Sequence, residues 1–208
     1  MEDHVIEIEA LIERAQKGDA SAKQQLLSNH RDRLRRMVAI HIDRRLAARV
    51  DPSDVVQEAL VEAARKLPDY LQHRPLPFYP WLRRLAWERL MKLHQKHIVA
   101  AKRSVTREVH RGLPDESALE LAHCVLAPGP SPSGHALLAE LRGRVRGAMA
   151  RLSERDCEVL VLRYLEQLST AEIAAVLAIS AGAVKVRHLR ALERLRALLA
   201  DDSVENGR

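Results

Sequence analysis

Leu168-Ser169-Thr170-Ala171-Glu172-Ile173-Ala174-Ala175-Val176-Leu177-Ala178-Ile179-Ser180-Ala181-Gly182-Ala183-Val184-Lys185-Val186-Arg187 reads as two helices joined by a tight turn, the second of them basic. Ser169 followed three residues later by Glu172 is a capping-box pattern, which satisfies free backbone N–H groups at a helix start. Ile173, Ala174 and Leu177 then recur at helical spacing, and small alanines let a second helix come close. Ile179-Ser180-Ala181-Gly182 interrupts the pattern, with Ser180 placed to cap the next helix. Val184, Ala191, Leu195 and Leu198 mark the buried stripe of that helix. Lys185, Arg187, Arg190, Arg194 and Arg196 stand against Glu193 alone, so residues 180–199 carry a net charge of +4. A helix-turn-helix with a basic second helix is built to put that helix's N-terminal turn into a DNA major groove. The alternative reading is an ordinary helical hairpin with a solvated basic face.

Outward from this stretch, the composition favours helix throughout. Of 208 residues, 47% are apolar and 3% aromatic, with Leu, Ala and Arg dominant, and strand alternation is missing. The predicted fold class is all-α: two small helical domains joined by a flexible linker, the C-terminal one a helix-turn-helix. A net charge of +6 points toward an anionic partner. No apolar run is long enough to cross a bilayer, and Met1-Glu2-Asp3-His4 lacks the basic-then-apolar order of a signal peptide, so a cytoplasmic protein is expected. Cys124 and Cys157 form neither a disulfide framework nor a metal-binding spacing. His94 and His97 are three apart but have no third ligand nearby in sequence. No cofactor or metal is expected.

Residues 5–16 read as an amphipathic helix ending near Gly18, and Asp19 caps a helix carrying Leu26, Leu27, Leu34, Val38 and Leu46. Asp51-Pro52-Ser53-Asp54 is a strong helix start: an N-cap acid, Pro where its missing N–H costs nothing, and a second acid at the positive helix end. The helix Val55–Leu67 buries Val56, Leu60, Ala63 and Leu67, leaving Asp54, Gln57, Glu58 and Val61 on its other side. Residues 68–80 hold four prolines and three aromatics, a density that predicts a stiff loop. Its aromatics can be core anchors or can stack on unpaired bases. A long helix is predicted over Trp81–Arg103, with Arg89, Lys92 and Lys96 on one stripe and Trp87, Met91, His94 and Ile98 on an apolar face. Residues 81–111 hold nine Lys or Arg against two Glu, a second dense basic region. Leu113-Pro114-Asp115-Glu116-Ser117 leads into a short Ala/Leu helix, and the following Ala127-Pro-Gly-Pro-Ser-Pro-Ser-Gly134 is a linker by composition. The domains are expected at 1–111 and 136–200, with the linker at 112–135 and a polar tail at 201–208. A helix is predicted near 136–150, and Leu152-Ser153-Glu154-Arg155-Asp156 opens another over 154–166.

Two basic helical domains and a joiner describe a protein that grips DNA in two places. At this point the residues resemble a family, the extracytoplasmic-function sigma factors, small two-domain initiation subunits of bacterial RNA polymerase. Asp51-Pro52-Ser53-Asp54-Val55-Val56-Gln57-Glu58-Ala59 resembles the family's region 2 polymerase-binding helix. Phe78-Tyr79-Pro80-Trp81-Leu82-Arg83-Arg84-Leu85-Ala86 resembles the start of its promoter-melting helix. Leu152 to Leu160, with the helix-turn-helix, is similar to region 4. Arg187 to Arg196 also resembles the planctomycete type of sigma factor.

The resemblance implies that Asp54, Gln57, Glu58 and Val61 meet polymerase core at the clamp helices of its largest subunit, with the flap as a further contact. It implies that Arg74, Phe78, Trp81, Arg84, Glu88, Arg89, Lys92 and Lys96 engage the −10 element. It implies that Ser180, Gly182, Ala183, Lys185, Val186, Arg187 and Arg190 engage the −35 element. An anti-sigma factor is a further partner that many members have. Three departures stand out: Trp87-Glu88 where members often carry Asn, the prolines 75, 77 and 80, and His188 where an aliphatic residue is common. The rival function is a dimeric helix-turn-helix transcription regulator, although residues 1–111 read as neither a sensor nor a dimerisation domain. A hydrolase built on Cys157 would need an oriented base and an accessible thiol, and Cys157 shares a stripe with Leu160, Val161 and Tyr164.

Overall fold

The computed structural model describes residues 2–42, 44–101, 115–125 and 135–205, and these contain no strand. The chain divides into two compact units, Met1–Arg107 and Glu108–Arg208.

The first unit is built from α1 (Glu2–Gln16), α2 (Ala20–Ser28), α3 (Arg31–His41), the short α4 (Arg44–Ala47), α5 (Pro52–His73) and α6 (Phe78–Ala101). Gly18, at φ +95°, makes the turn out of α1, a conformation that side-chain-bearing residues resist. Asp19 caps α2 by accepting from the Ala22 N–H at 3.1 Å. The single helix predicted after Asp19 is broken into α2, α3 and α4. At the first break His30 leaves helical geometry and is buried against the rings of Phe78 and Tyr79, at 5.4 and 5.6 Å. Helix α5 starts as predicted, with the Asp51 carboxylate accepting from the Ser53 N–H at 2.7 Å. It packs on α6, and α3 lies against both. Val55, Val56, Ala59, Ala63 and Leu67 fill this core with Leu34, Met37, Leu82, Ala86 and Leu90.

Helix α5 does not stop before Pro68 but continues to His73 and ends at Arg74 in the left-handed region. Pro68 and Ala64 are both exposed, so the Ala64 carbonyl that loses its partner is left to solvent. The loop predicted over 68–80 therefore shrinks to four residues, 74–77. Helix α6 begins at Phe78, with Pro80 in the first turn, where no N–H is required. Its buried face follows Leu82, Ala86 and Leu90, while Trp87, Met91 and His94 are half-buried at its margin. The side chains of His97 and Ile98, and residues 102–114 as a whole, lie outside the described residues.

The second unit holds α7 (Asp115–Val125), α8 (His135–Arg151), α9 (Glu154–Leu160), a π-helical turn Val161–Leu165, α10 (Thr170–Leu177) and α11 (Ala181–Glu205). Helix α7 is the short Ala/Leu helix expected after Ser117, and it lies within the inter-domain stretch 112–135. Ala118, Leu121 and Ala122 are buried at i, i+3 and i+4, and the helix packs on α8. The linker core at 126–134 and the side chain of Cys124 are outside the described residues. Ser153 caps α9, its hydroxyl accepting from the Asp156 N–H at 3.2 Å. The chain past Ala200, predicted as a polar tail, is helical to Glu205.

Candidate nucleic-acid interface

In the second unit the local bonds of the turn carry the geometry. The Ser169 N–H donates to Glu172 Oε2 at 2.8 Å and the Glu172 N–H to Ser169 Oγ at 3.2 Å, closing the capping box. Helix α10 ends at Ala178 in the left-handed region, φ +53°. Ser180 then accepts from the Ala183 N–H at 3.1 Å and starts α11. Val184, Ala191, Leu192, Leu195 and Leu199 are buried, while Leu198, predicted among them, is half-buried. Ser180, Gly182, Ala183, Lys185, Val186 and Arg190 are exposed and Arg187 is half-buried, so the predicted set lies together along one stretch of α11.

Two side-chain pairs fix α11 against the elements before it. Arg194 Nη1 donates to the buried Asp156 carboxylate at 2.5 Å. His188 Nε2 lies 3.0 Å from the Tyr164 hydroxyl in the π-helical turn. The burial predicted for His188 is thus partial, and the ring gains a polar partner that an aliphatic residue would not use. Burial, followed by the charge of Arg163, lowers the imidazole's pKa from its ordinary value.

Cys157 lacks the setting of a nucleophile. It is half-buried, its thiol donates to the Met149 carbonyl at 3.0 Å, and burial and the Asp156 charge push its pKa upward.

In the first unit the structure joins two predicted sets that the sequence keeps apart. Asp54, Gln57, Glu58 and Val61 are exposed on α5, and across an open groove of ≈ 670 Å³ stand Leu85, Glu88, Arg89 and Lys92 of α6. Arg89 is ion-paired with Glu58 across this groove. Lys66 pairs with Glu62 at 3.1 Å on the same wall. Arg84 Nε donates to Glu88 Oε1 at 3.1 Å, so the acid at the departure from the family pattern has an arginine one turn away. Lys92 and Lys96 are exposed.

Three of the predicted −10 residues are placed otherwise. Phe78 and Trp81 are 3% and 8% exposed. Trp81 stacks on Tyr70 at 4.4 Å, and Phe78 meets Tyr70 edge-on at 5.3 Å. Both rings are buried and pack on Tyr70 beside the 74–77 turn. The Tyr70 hydroxyl donates to the Leu76 carbonyl at 3.0 Å, and burial pushes its pKa up to about 12. Arg74 is ion-paired with Glu9 of α1. Sequence reasoning saw the aromatics but could not see Tyr70, one helix earlier, as the stacking partner.

Residues 148–197 match the family described as Sigma-70, region 4. The chain is 33% identical over 153 residues to the RNA polymerase sigma factor CnrH of Cupriavidus metallidurans, covering 74% of this chain and 75% of that one. It is 31% identical to the ECF RNA polymerase sigma factor ShbA of Streptomyces griseus, covering 95% and 97%. Among solved structures, CnrH in complex with the cytosolic domain of CnrY matches with a TM-score of 0.53 at 26% identity, covering 93% of this chain and 97% of that one.

Proposed function

The chain belongs to the extracytoplasmic-function RNA polymerase sigma factors, and from that premise we propose how its residues divide the work of promoter recognition. The second unit takes the −35 duplex, with α11 in the major groove and Ser180, Gly182, Ala183, Lys185, Val186, Arg187 and Arg190 at the DNA. The first unit binds polymerase core through Asp54, Gln57, Glu58 and Val61, against the clamp helices of the largest subunit. It meets the −10 strand through Arg84, Glu88, Arg89, Lys92 and Lys96. Phe78, Trp81 and Arg74 support the turn that leads into α6. The flap is a further polymerase contact of the second unit.

The observation that carries this reading is the α10–turn–α11 geometry, with capping bonds at both helix starts and the basic residues outward. Phosphate contacts from Lys and Arg set register, and base edges supply specificity. Tethering two weak DNA contacts on one chain raises the effective concentration of the second. That CnrH has been solved with the cytosolic domain of another protein supports a protein regulator of that kind here.

The test is size-exclusion chromatography of the full chain with bacterial polymerase core, beside an Asp54→Ala/Gln57→Ala double variant. Co-elution of the wild type and not of the variant is expected. If neither co-elutes while duplex DNA still binds, the assignment of the α5 face to polymerase core is wrong.

A further inference from the structure

The N-terminal part of α11 carries an apolar line in a basic surface, running from Gly182 to Leu189 and ending before the exposed Glu193. Val184, Ala191 and Leu195 face the core. At about 100° per residue, Gly182, Val186 and Leu189 fall on the opposite side of the helix, with Lys185 and Arg190 flanking them. Val186 is 51% and Leu189 56% exposed, so neither aliphatic side chain is spent on the fold. Gly182 is not required by the fold either. A Cβ there would meet, among the described residues, only Ser180 Oγ at 3.9 Å, and the backbone is outside the positive-φ region. A helical glycine is less favourable than alanine, and it leaves the helix surface open to close approach.

The major groove offers one apolar group for such a surface, the 5-methyl of thymine. We infer that the Gly182–Val186–Leu189 stripe reads thymine in the duplex element bound by the second unit. Gly182 lets the helix seat deeply, Val186 and Leu189 cover thymine methyl groups, and Lys185 and Arg190 hold the flanking phosphates. The occupant is DNA because those cations favour a polyanion, whereas a second copy of this face would bring like charges together. The inference rests on the proposed −35 role of α11 and adds Leu189, which the sequence-based set omitted.

The experiment uses the full chain with polymerase core. Randomised duplex DNA is selected for binding, and the selected duplexes are remade with uracil at single thymines, which removes only the methyl. Loss of one buried methyl is expected to weaken wild-type binding about fourfold at a thymine of the upstream element. Val186→Ala or Leu189→Ala should weaken binding of the thymine duplex toward the uracil level and lose that sensitivity, while Gly182→Ala should keep or raise the melting temperature and bind more weakly. Indifference to uracil at every thymine, in a complex that still depends on the upstream element, overturns the inference and leaves the duplex reading standing. Indifference to the whole upstream element overturns both. The uracil comparison on wild type needs no variant, so misfolding of a variant cannot decide it.

Discussion

His188 on α11 and Tyr164 in the π-helical turn share a hydrogen bond of 3.0 Å, which ties α11 to the element that precedes the helix-turn-helix. π turns often sit at functional positions, and here the turn aims Tyr164 at α11. Folding lowers the His188 pKa from its ordinary value of 6.5 because the ring is taken out of water, with the Arg163 charge adding to the effect. Between the two values the unfolded chain holds more protons than the folded one. The stabilisation is therefore complete above the unfolded value and is lost as pH falls through the folded one. Melting temperature should drop as pH falls below 6.5, where the unfolded chain takes up the proton first, and His188→Phe should make that drop smaller. An identical acid drop in wild type and variant would remove His188 from the account.

Trp81 and Phe78 act through packing, and their loss should be read as stability before it is read as promoter binding. Trp81→Ala is expected to cost about 3–5 kcal/mol, as for other large aromatic truncations in a core. Trp81→Phe keeps a ring on Tyr70 and should cost clearly less. Urea denaturation followed by far-UV dichroism separates the two. If Trp81→Ala leaves stability unchanged and abolishes strand capture, the ring serves the nucleic acid after all.

Ala178 occupies φ +53° at the end of α10 and is exposed. A side chain in that region is strained, and glycine relieves the strain without giving up any core contact. Ala178→Gly should therefore stabilise the second unit by up to about 1 kcal/mol, since the gain in the folded state outweighs the extra freedom of the unfolded chain. A thermal melt decides it. A fall in melting temperature would mean that the Ala178 methyl packs more than its exposure indicates.

How much of this was legible in the sequence depends on whether the signal was local. Ser169, Glu172, Asp51, Asp19 and Ser153 cap helices as their spacing predicts, because each bond closes within three residues. The failures involve distant partners. His30, where the predicted helix breaks, packs against the rings of residues 78 and 79. Phe78 and Trp81 turn inward because Tyr70 offers a stacking face across the 74–77 turn. Arg89 and Glu58 lie 31 residues apart, and only the packing of α5 on α6 makes them a pair. For the site, residue types along α11 were enough to name most of its outward face. The basic stripe of α6 was visible too, but its neighbour across the groove was not.

The salt dependence of duplex binding should tell outward cations from structural ones on the same helix. Each Lys or Arg that displaces a counterion from DNA adds about one to the slope of log affinity against log salt. Lys185 and Arg190 are exposed on the proposed DNA side, so Lys185→Gln and Arg190→Gln should each reduce the slope by about one. Arg194 is basic and one turn further along, yet its guanidinium is bound to the buried carboxylate of Asp156 at 2.5 Å. Arg194→Gln should leave the slope nearly unchanged and lower the melting temperature, because the carboxylate loses its charged partner where water reaches it poorly. Filter binding at several salt concentrations measures the slopes, and calorimetry of the same variants measures stability. A slope change at Arg194 equal to that at Arg190 would show that the Asp156 pair opens on DNA, and α11 would then present a longer basic face than its free structure does.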